Sequence, residues 1–384
     1  MIKRRRVLQG LCSLSVLPLL AGCDRAQAFS LLLLKGSIPA SVLEAFQKGE
    51  QGTDFSWTAQ PQLADIFARL QVWQGDEVAN QSQFRIPTLA ELRQGNKPGP
   101  QANLATLGDY WLTSAITKEL LDPFEPNELP KFERLPAPWR AIVKRDSQGL
   151  LAKNGKIWGA PYRWGSLLIV YREDKLKKFD WIPTDWSDLW RPELAQRFSL
   201  PADYRLVLAI GLKKLGASPN ATQLPTDLLP TLQELQNRVM FYSSNTYLQP
   251  LVLGDSWMGV GWSEDILPLI ARNPKLKAIA PESGTILWSD VWVKPKGMKN
   301  SPISTAWIEH CWQPKVAANI AARTAAGSPV LLDQPTEEFP PKLQQNPLFL
   351  LSASIRDRSE FLEPLSPEIE QKYQELWQAL RGSS

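Results

Sequence analysis

The nine residues TILWSDVWV, 285–293, set a carboxylate between two indoles at the two-residue spacing of an extended strand. In that geometry Trp288, Asp290 and Trp292 share one face, and Leu287, Val291 and Val293 share the other. Indole faces attract cations through their quadrupole, by about 0.5–2 kcal/mol per contact. An aspartate beside them adds a charge-assisted hydrogen bond. The chemistry such a strand offers is capture of an ammonium group. The same residues also suit a structural role, with the tryptophans as core anchors and Asp290 as a hydrogen-bond acceptor. On this strand alone the two readings carry equal weight.

Catalytic constellations find little material. The chain has one histidine, His310, in WIEHCW, where a packed ring is the simpler reading than a triad member. Histidine-based metal sites cannot be built. No Gly-rich loop of dinucleotide or P-loop type is present; GDSWMGVG lacks the spacing and the Lys-Ser/Thr. Paired carboxylates exist among 39 acidic residues, but nothing singles out a pair. The residues point to binding, with no cofactor and no catalysed reaction.

The ends of the chain and its bulk set the context. At 384 residues the chain exceeds one ordinary core, so two domains are expected. The segment MIKRRRVLQGLCSLSVLPLLAGC has a basic start, a short apolar run and small residues before Cys23, the pattern of an export signal over 1–22. Its ending, Leu20-Ala21-Gly22-Cys23, resembles the bacterial lipobox, in which the cysteine is lipidated and becomes the mature N-terminus. Arg4 and Arg5 fit a twin-arginine signal and a merely basic start about equally. Removing 1–22 takes Lys3 and Arg4 to Arg6 with it and leaves 39 basic against 39 acidic residues. A near-neutral mature chain has no electrostatic case for nucleic acid. Cys12 would leave with the signal, so Cys311 would be the one free thiol and no intrachain disulfide could form.

Along the chain, strand and helix patterns alternate, which predicts an α/β protein. AFSLLLL reads as a buried strand, with a helix from about Ala40. QFRIPTLAELRQGNKPGP (83–100) reads as a helix and a Gly/Pro-rich loop, followed by a strand near Leu104–Leu107 and another helix. Phe198–Leu200, VMFYS and WMGVGW (257–262) read as strands. Ser263 is placed to cap a helix whose first turn carries Glu264 and Asp265. Pro367 at N1 opens a last helix with Ile369, Tyr373, Leu376 and Leu380 on one face.

From about Leu104 onward the chain resembles the spermidine/putrescine-binding proteins of bacterial ABC importers. The stretches that carry the likeness are GAPYRWGSLLIVY, DWSDLWRPELAQRFSL, LAIGLKKLGASPN, MGVGWSEDILPLI and ESGTILWSDVWVKPKGMKNSP, in matching order. The resemblance implies a type II periplasmic-binding fold, with two lobes, each a mixed sheet flanked by helices, and a ligand cleft between. It implies lobe 1 as 23–162 plus 290–334 and lobe 2 as 163–289 plus 335–384, with crossings near 162–165, 289–290 and 331–335. Carried over residue by residue, it places the amine-binding Trp and Asp on Trp288 and Asp290, a stacking Trp on Trp262, a Tyr on Tyr110 and a second amine-binding Asp on Asp203.

The departures matter too. The family's aromatic pair after the first strand corresponds to Leu34 and Ser37, its Glu one turn after Asp203 to Leu206, its cleft Ser to Gly108, and its late Gln to the region of Leu362. The expectation is therefore a monomeric, lipid-anchored, extracytoplasmic solute-binding protein. It would hand an amine-containing solute to an ABC permease driven by a cytoplasmic ATPase. The alternative is an envelope lipoprotein of the same fold that binds another small solute or has lost binding. An open cleft with an unpaired Asp290 favours the first.

Overall fold

The computed structural model describes residues 28–50, 53–75, 101–244, 246–299 and 301–382. The export signal, Cys23, and the helix and loop expected over 83–100 lie outside the described residues. Strands β1 (Ala28–Leu34), β2 (Asp54–Gln60) and β3 (Leu104–Gly108) are followed in turn by helices α1 (Ala40–Gly49), α2 (Leu63–Trp73) and α3 (Leu112–Thr117). The short strands β4 (Leu121–Asp122), β5 (Lys144–Arg145) and β6 (Lys156–Ile157) lead into the long β7 (Ala160–Arg172). Next come β8 (Phe198–Leu200), α4 (Tyr204–Lys214), α5 (Leu228–Arg238), β9 (Phe241–Tyr242), β10 (Met258–Trp262), α6 (Ser263–Arg272) and β11 (Leu276–Ile279). A second long strand, β12 (Ile286–Pro295), precedes α7 (Pro302–Cys311), α8 (Pro314–Thr324), β13 (Glu360–Phe361) and α9 (Pro367–Gly382).

Eleven of these strands form one mixed sheet whose main path is β2-β1-β3-β12-β7-β10-β8-β9. β1 runs parallel to β2 and β3, β12 antiparallel to β3 and β7, and β10 antiparallel to β7 but parallel to β8. Two strands tie the sheet together. All thirteen residues of β7 and all ten of β12 are buried. Their apolar, β-branched and aromatic composition suits strands covered on both faces. β7 pairs with β12 through Ala160–Ser166 and with β10 and β11 through Leu167–Arg172, so it serves both halves of the sheet.

The β7–β12 register slips once. Asp290 faces Arg163, but Val291 faces Pro161, which leaves Tyr162 as an extra residue on β7. Pro161 has no N–H to give the ladder, which makes this a natural place for a bulge. Tyr162 turns into the core, stacks on Trp292 with ring centres 4.7 Å apart, and its hydroxyl meets Thr106 Oγ1 at 3.3 Å. Trp292 is fully buried and packs edge-on against Trp307 of α7 at 5.5 Å. The shared face read for Trp288, Asp290 and Trp292 is therefore split: Trp292 is core, while the other two reach a cleft.

The apolar side chains gather in two clusters. The first joins β1, β3, β12 and the first half of β7 to α1, α2, α7 and α8, and extends through Leu168 and Val170 to Ile266 and Leu267 of α6. The second lies on the opposite face of β7, where Leu167, Ile169 and Tyr171 meet α4, α5 and Tyr373 and Leu380 of α9. The alternation of a strand puts successive β7 residues into different cores. Phe339, Leu343, Phe349 and Phe361 pack into the first cluster, whereas Leu362, Leu365 and the α9 residues join the second. The C-terminal segment thus divides at β13 rather than packing as one piece.

On α7, Cys311 is fully buried, and His310 sits beside Phe46 and Trp307 with ring centres 5.4 and 6.0 Å away. Burial lowers the pKa of His310 and raises that of the Cys311 thiol. Replacing Trp292 by Ala removes the ring that Tyr162 and Trp307 pack against. Such a large-to-small change costs about 3–5 kcal/mol, so urea unfolding should show a midpoint shifted well down, with the unfolding slope unchanged.

Candidate functional site

A cleft of about 670 Å³ is lined by residues that follow β3, by the end of β10, the first half of β12, the start of α4 and the segment after β13. Tyr110, Asp203, Trp262, Trp288 and Asp290 all line it. They are delivered by different local devices, Trp288 and Asp290 by one strand. Tyr110 follows β3 and is 58% exposed at the mouth. Asp203 is the N-cap of α4, its Oδ1 accepting the Leu206 N–H at 3.1 Å. Trp262 ends β10 just before α6, and Trp288 and Asp290 stand two apart on β12. Ligand contacts at strand ends and helix starts are the usual arrangement of α/β proteins.

The floor differs from the sequence expectation. Asp290 is 1% exposed and is not an open carboxylate: its Oδ2 accepts Arg163 Nε at 2.5 Å. Arg163 lies directly across the ladder on β7 and gives its Nη2 to Glu264 Oε2 at 3.0 Å. One buried guanidinium thus joins carboxylates from β12 and α6. Burial alone would lower the Arg163 pKa, but Asp290 and Glu264 outweigh it and hold the group above its ordinary value. Arg163 Cζ also stands 5.2 Å from the centre of the Trp288 ring. Removing one partner from a buried pair of this kind costs about 3–5 kcal/mol. The charge of Asp290 is used first for the fold.

Trp288 rests on Gly165, its cross-strand partner. A Cβ at Gly165 would come within 2.8 Å of the Trp288 ring and 2.4 Å of Ser263 Oγ, so only glycine lets the indole lie against β7. Ser263, expected to cap α6, is the first residue of that helix; the N-cap is Trp262. The Ser263 hydroxyl instead accepts the Ser166 N–H at 3.1 Å and fastens α6 to β7. Trp288 Nε1 is buried with no hydrogen-bond partner among the described residues.

Beside this floor is a carboxylate that sequence reading passed over. Asp109, next to Tyr110, is 3% exposed and lines the cleft. Its Oδ1 accepts the Ser289 N–H at 2.8 Å. Burial pushes its pKa up to about 7, against the pull of that N–H and of Arg145. Arg145 does not pair with the Asp109 side chain. It gives Nη2 to the Asp109 carbonyl at 2.9 Å, and its other donors go to Ile142 O, Thr113 Oγ1 and Gly149 O. Burial lowers the Arg145 pKa to about 10.

The remaining walls are mixed. Leu206 and Leu362, which stand where polar family residues were expected, both line the cleft and make that side apolar. Tyr204 donates its hydroxyl to Glu370, which also lies 3.9 Å from Arg205. Tyr247 was missed as well: its hydroxyl accepts the Trp262 N–H at 3.3 Å and donates to Asp265 at 2.7 Å, fixing where Trp262 leaves β10. A Cβ at Gly261 would come within 2.1 Å of the Tyr247 ring, so the glycine makes this contact possible. Among the described residues no three His, Cys, Asp or Glu side chains group to hold a metal ion.

Comparison with known proteins agrees with this architecture. Residues 86–350 match the family described as bacterial extracellular solute-binding protein. Spermidine/putrescine-binding periplasmic protein 1 of Haemophilus influenzae is 26% identical over 274 residues, covering 70% of this chain and 72% of its own. The putrescine-binding periplasmic protein PotF of Escherichia coli is 23% identical over 300 residues, covering 71% and 76%. Among solved structures, the spermidine/putrescine ABC transporter substrate-binding protein PotD of Streptococcus pneumoniae superposes with a TM-score of 0.74 at 21% identity, over 93% of this chain and 99% of its own. That structure shares the fold.

Asp109 generates a pH test. Its carboxyl titrates near 3.8 in a free chain and near 7 when folded. Between those values the folded chain holds a proton that the unfolded chain has released, so stability falls as pH rises. The contribution is fully present below about pH 4 and lost once pH passes about 7. Urea unfolding at a series of pH values should show Asp109→Asn gaining on the wild type steadily across that window; parallel curves would contradict the assignment.

Proposed function

The chain belongs to the bacterial extracellular solute-binding proteins, and we propose that it is the solute-capturing component of an ABC importer for a polyamine or related amine. The observation that carries this reading is the charge of the cleft. Asp109, Asp203, Glu264, Asp290, Glu363 and Glu370 line it, against the guanidinium groups of Arg145 and Arg205. Counting Arg163 behind the floor still leaves an excess of carboxylates, which suits a cation and opposes an anion. Tyr110, Trp262 and Trp288 add π-faces that favour ammonium groups and the polarised methylenes beside them. The apolar Leu206 and Leu362 suit a hydrocarbon segment. The relatives named for spermidine and putrescine binding support the same ligand class.

Capture needs no catalysed step: the ligand is held and passed to a membrane permease powered by a cytoplasmic ATPase. A thermal-shift screen of the mature chain against amines, amino acids and sugars tests the reading. Putrescine, spermidine or a simpler amine should raise the melting temperature. By linkage, a ligand at 100 times its Kd adds about 2.7 kcal/mol. Stabilisation by sugars or anionic solutes, with none by amines, would sink it.

We further propose that Cys23 is lipidated and that the domain works as a monomer tethered outside the cytoplasmic membrane, with 1–22 removed. The support is the Leu20-Ala21-Gly22-Cys23 pattern behind a basic, then apolar, start. Cys23→Ser should move the protein from the membrane to the soluble extracytoplasmic fraction, because stable anchoring depends on acyl chains. A processed Cys23→Ser protein that stays with the membrane would contradict the anchor.

A further inference from the structure

Asp109 and Asp290 are the two buried carboxylates of the cleft, and they differ in one respect. Asp290 already holds a cation, Arg163, at 2.5 Å. Asp109 accepts a main-chain N–H on Oδ1 and has no ion-pair partner among the described residues. The other lining acids are less suited to act as a deep anchor. Glu264 takes the second arm of Arg163, and Glu370 is occupied by Tyr204 and Gln374. Asp203 and Glu363 are exposed at the mouth. Next to Asp109, across Ser289, lies Trp288, whose Nε1 has no hydrogen-bond partner among the described residues.

We infer that Asp109, and not Asp290, takes the ammonium group of the ligand, and that Asp290 acts as a positioning residue through its pair with Arg163. The inference rests on the amine reading above and narrows it to a primary amine whose charged end enters beside Tyr110 and Trp288. A carboxylate that is 3% exposed and has no counter-cation among the described residues gains from an incoming ammonium, because little water is left to solvate it. The ligand supplies what Arg163 supplies to Asp290. The charged and titratable groups facing Asp109 are Asp290 on β12, Arg145 on β5, Tyr110 beside it and, through Asp290, Arg163 on β7 and Glu264 on α6. Burial pushes the Asp109 carboxyl up to about 7, so at pH 6.5 it carries a proton much of the time, and an ammonium arriving there displaces it.

The test is calorimetric titration of the full mature chain, as wild type, Asp109→Asn and Asp109→Ala, with 1-aminobutane, putrescine and spermidine at pH 6.5. Each is run in two buffers of different ionisation enthalpy. The wild type should bind at least one of the amines and release a proton as it does. Both variants should fold, lose roughly tenfold or more in affinity, and lose the proton release. A purely structural role for Asp109 would leave the proton count unchanged. Variants that bind as tightly as the wild type, with the same proton release, overturn the assignment while leaving the amine reading standing. A folded wild type that binds none of the three amines overturns the amine reading, and the Asp109 assignment falls with it.

Discussion

Arg163 and Asp290 sit opposite each other on the two central strands through which the halves of the sheet are joined, and both are withdrawn from water. Taking two such charges out of solvent is unfavourable unless each finds the other in good geometry. That requirement fixes the register of β7 against β12 at one point, and the bulge at Tyr162 absorbs the offset that follows. Beyond the bulge, Trp292 and Tyr162 point into the first core; before it, Trp288 lies on Gly165 and looks into the cleft. The same guanidinium reaches Glu264, so the start of α6 is referred to the same pair. One electrostatic contact between residues 127 positions apart thus sits where floor and core meet.

This division of labour separates the cleft acids into those that hold the protein together and those left for a solute. Asp290, Glu264 and Glu370 satisfy donors from the protein itself, and Asp203 gives one oxygen to the start of α4. A count of acidic residues overstates the charge presented to a ligand, because part of it is already neutralised from behind. Shape is set in the same economical way. Two glycines, Gly165 and Gly261, let Trp288 and Tyr247 close against the backbone where any side chain would collide.

Much of the architecture was legible in the sequence because it depends on local patterns: apolar runs for the buried strands, a proline at the start of the last helix, acidic residues in the first turn of α6. Trp288 and Asp290 stood out as an indole and an acid on one strand face, whereas Tyr110, Asp203 and Trp262 were placed by the family resemblance. What stayed hidden was pairing. Arg163 sits in a stretch, APYRWGSLLIVY, whose hydrophobicity drew attention to the strand and away from the charge. Nothing local announces a partner on β12. Glu264 read as a helix-dipole residue, which it also is, and Ser263 as a cap, because a serine before a helix is usually one. Asp109 and Tyr247 gave no usable signal, since their roles arise only when Ser289 and Trp262 are brought beside them.

Cys311 is the only cysteine among the described residues, and it lies wholly inside the first core with its thiol held in the neutral form. Thiolate is the species that reacts with alkylating dyes. A new cysteine placed at the mouth of the cleft, at Glu363 for instance, would be the one described thiol that such a dye could reach. The native core therefore leaves the chemistry of site-specific labelling open, and with it the conversion of this receptor into an optical reporter of the solute it holds.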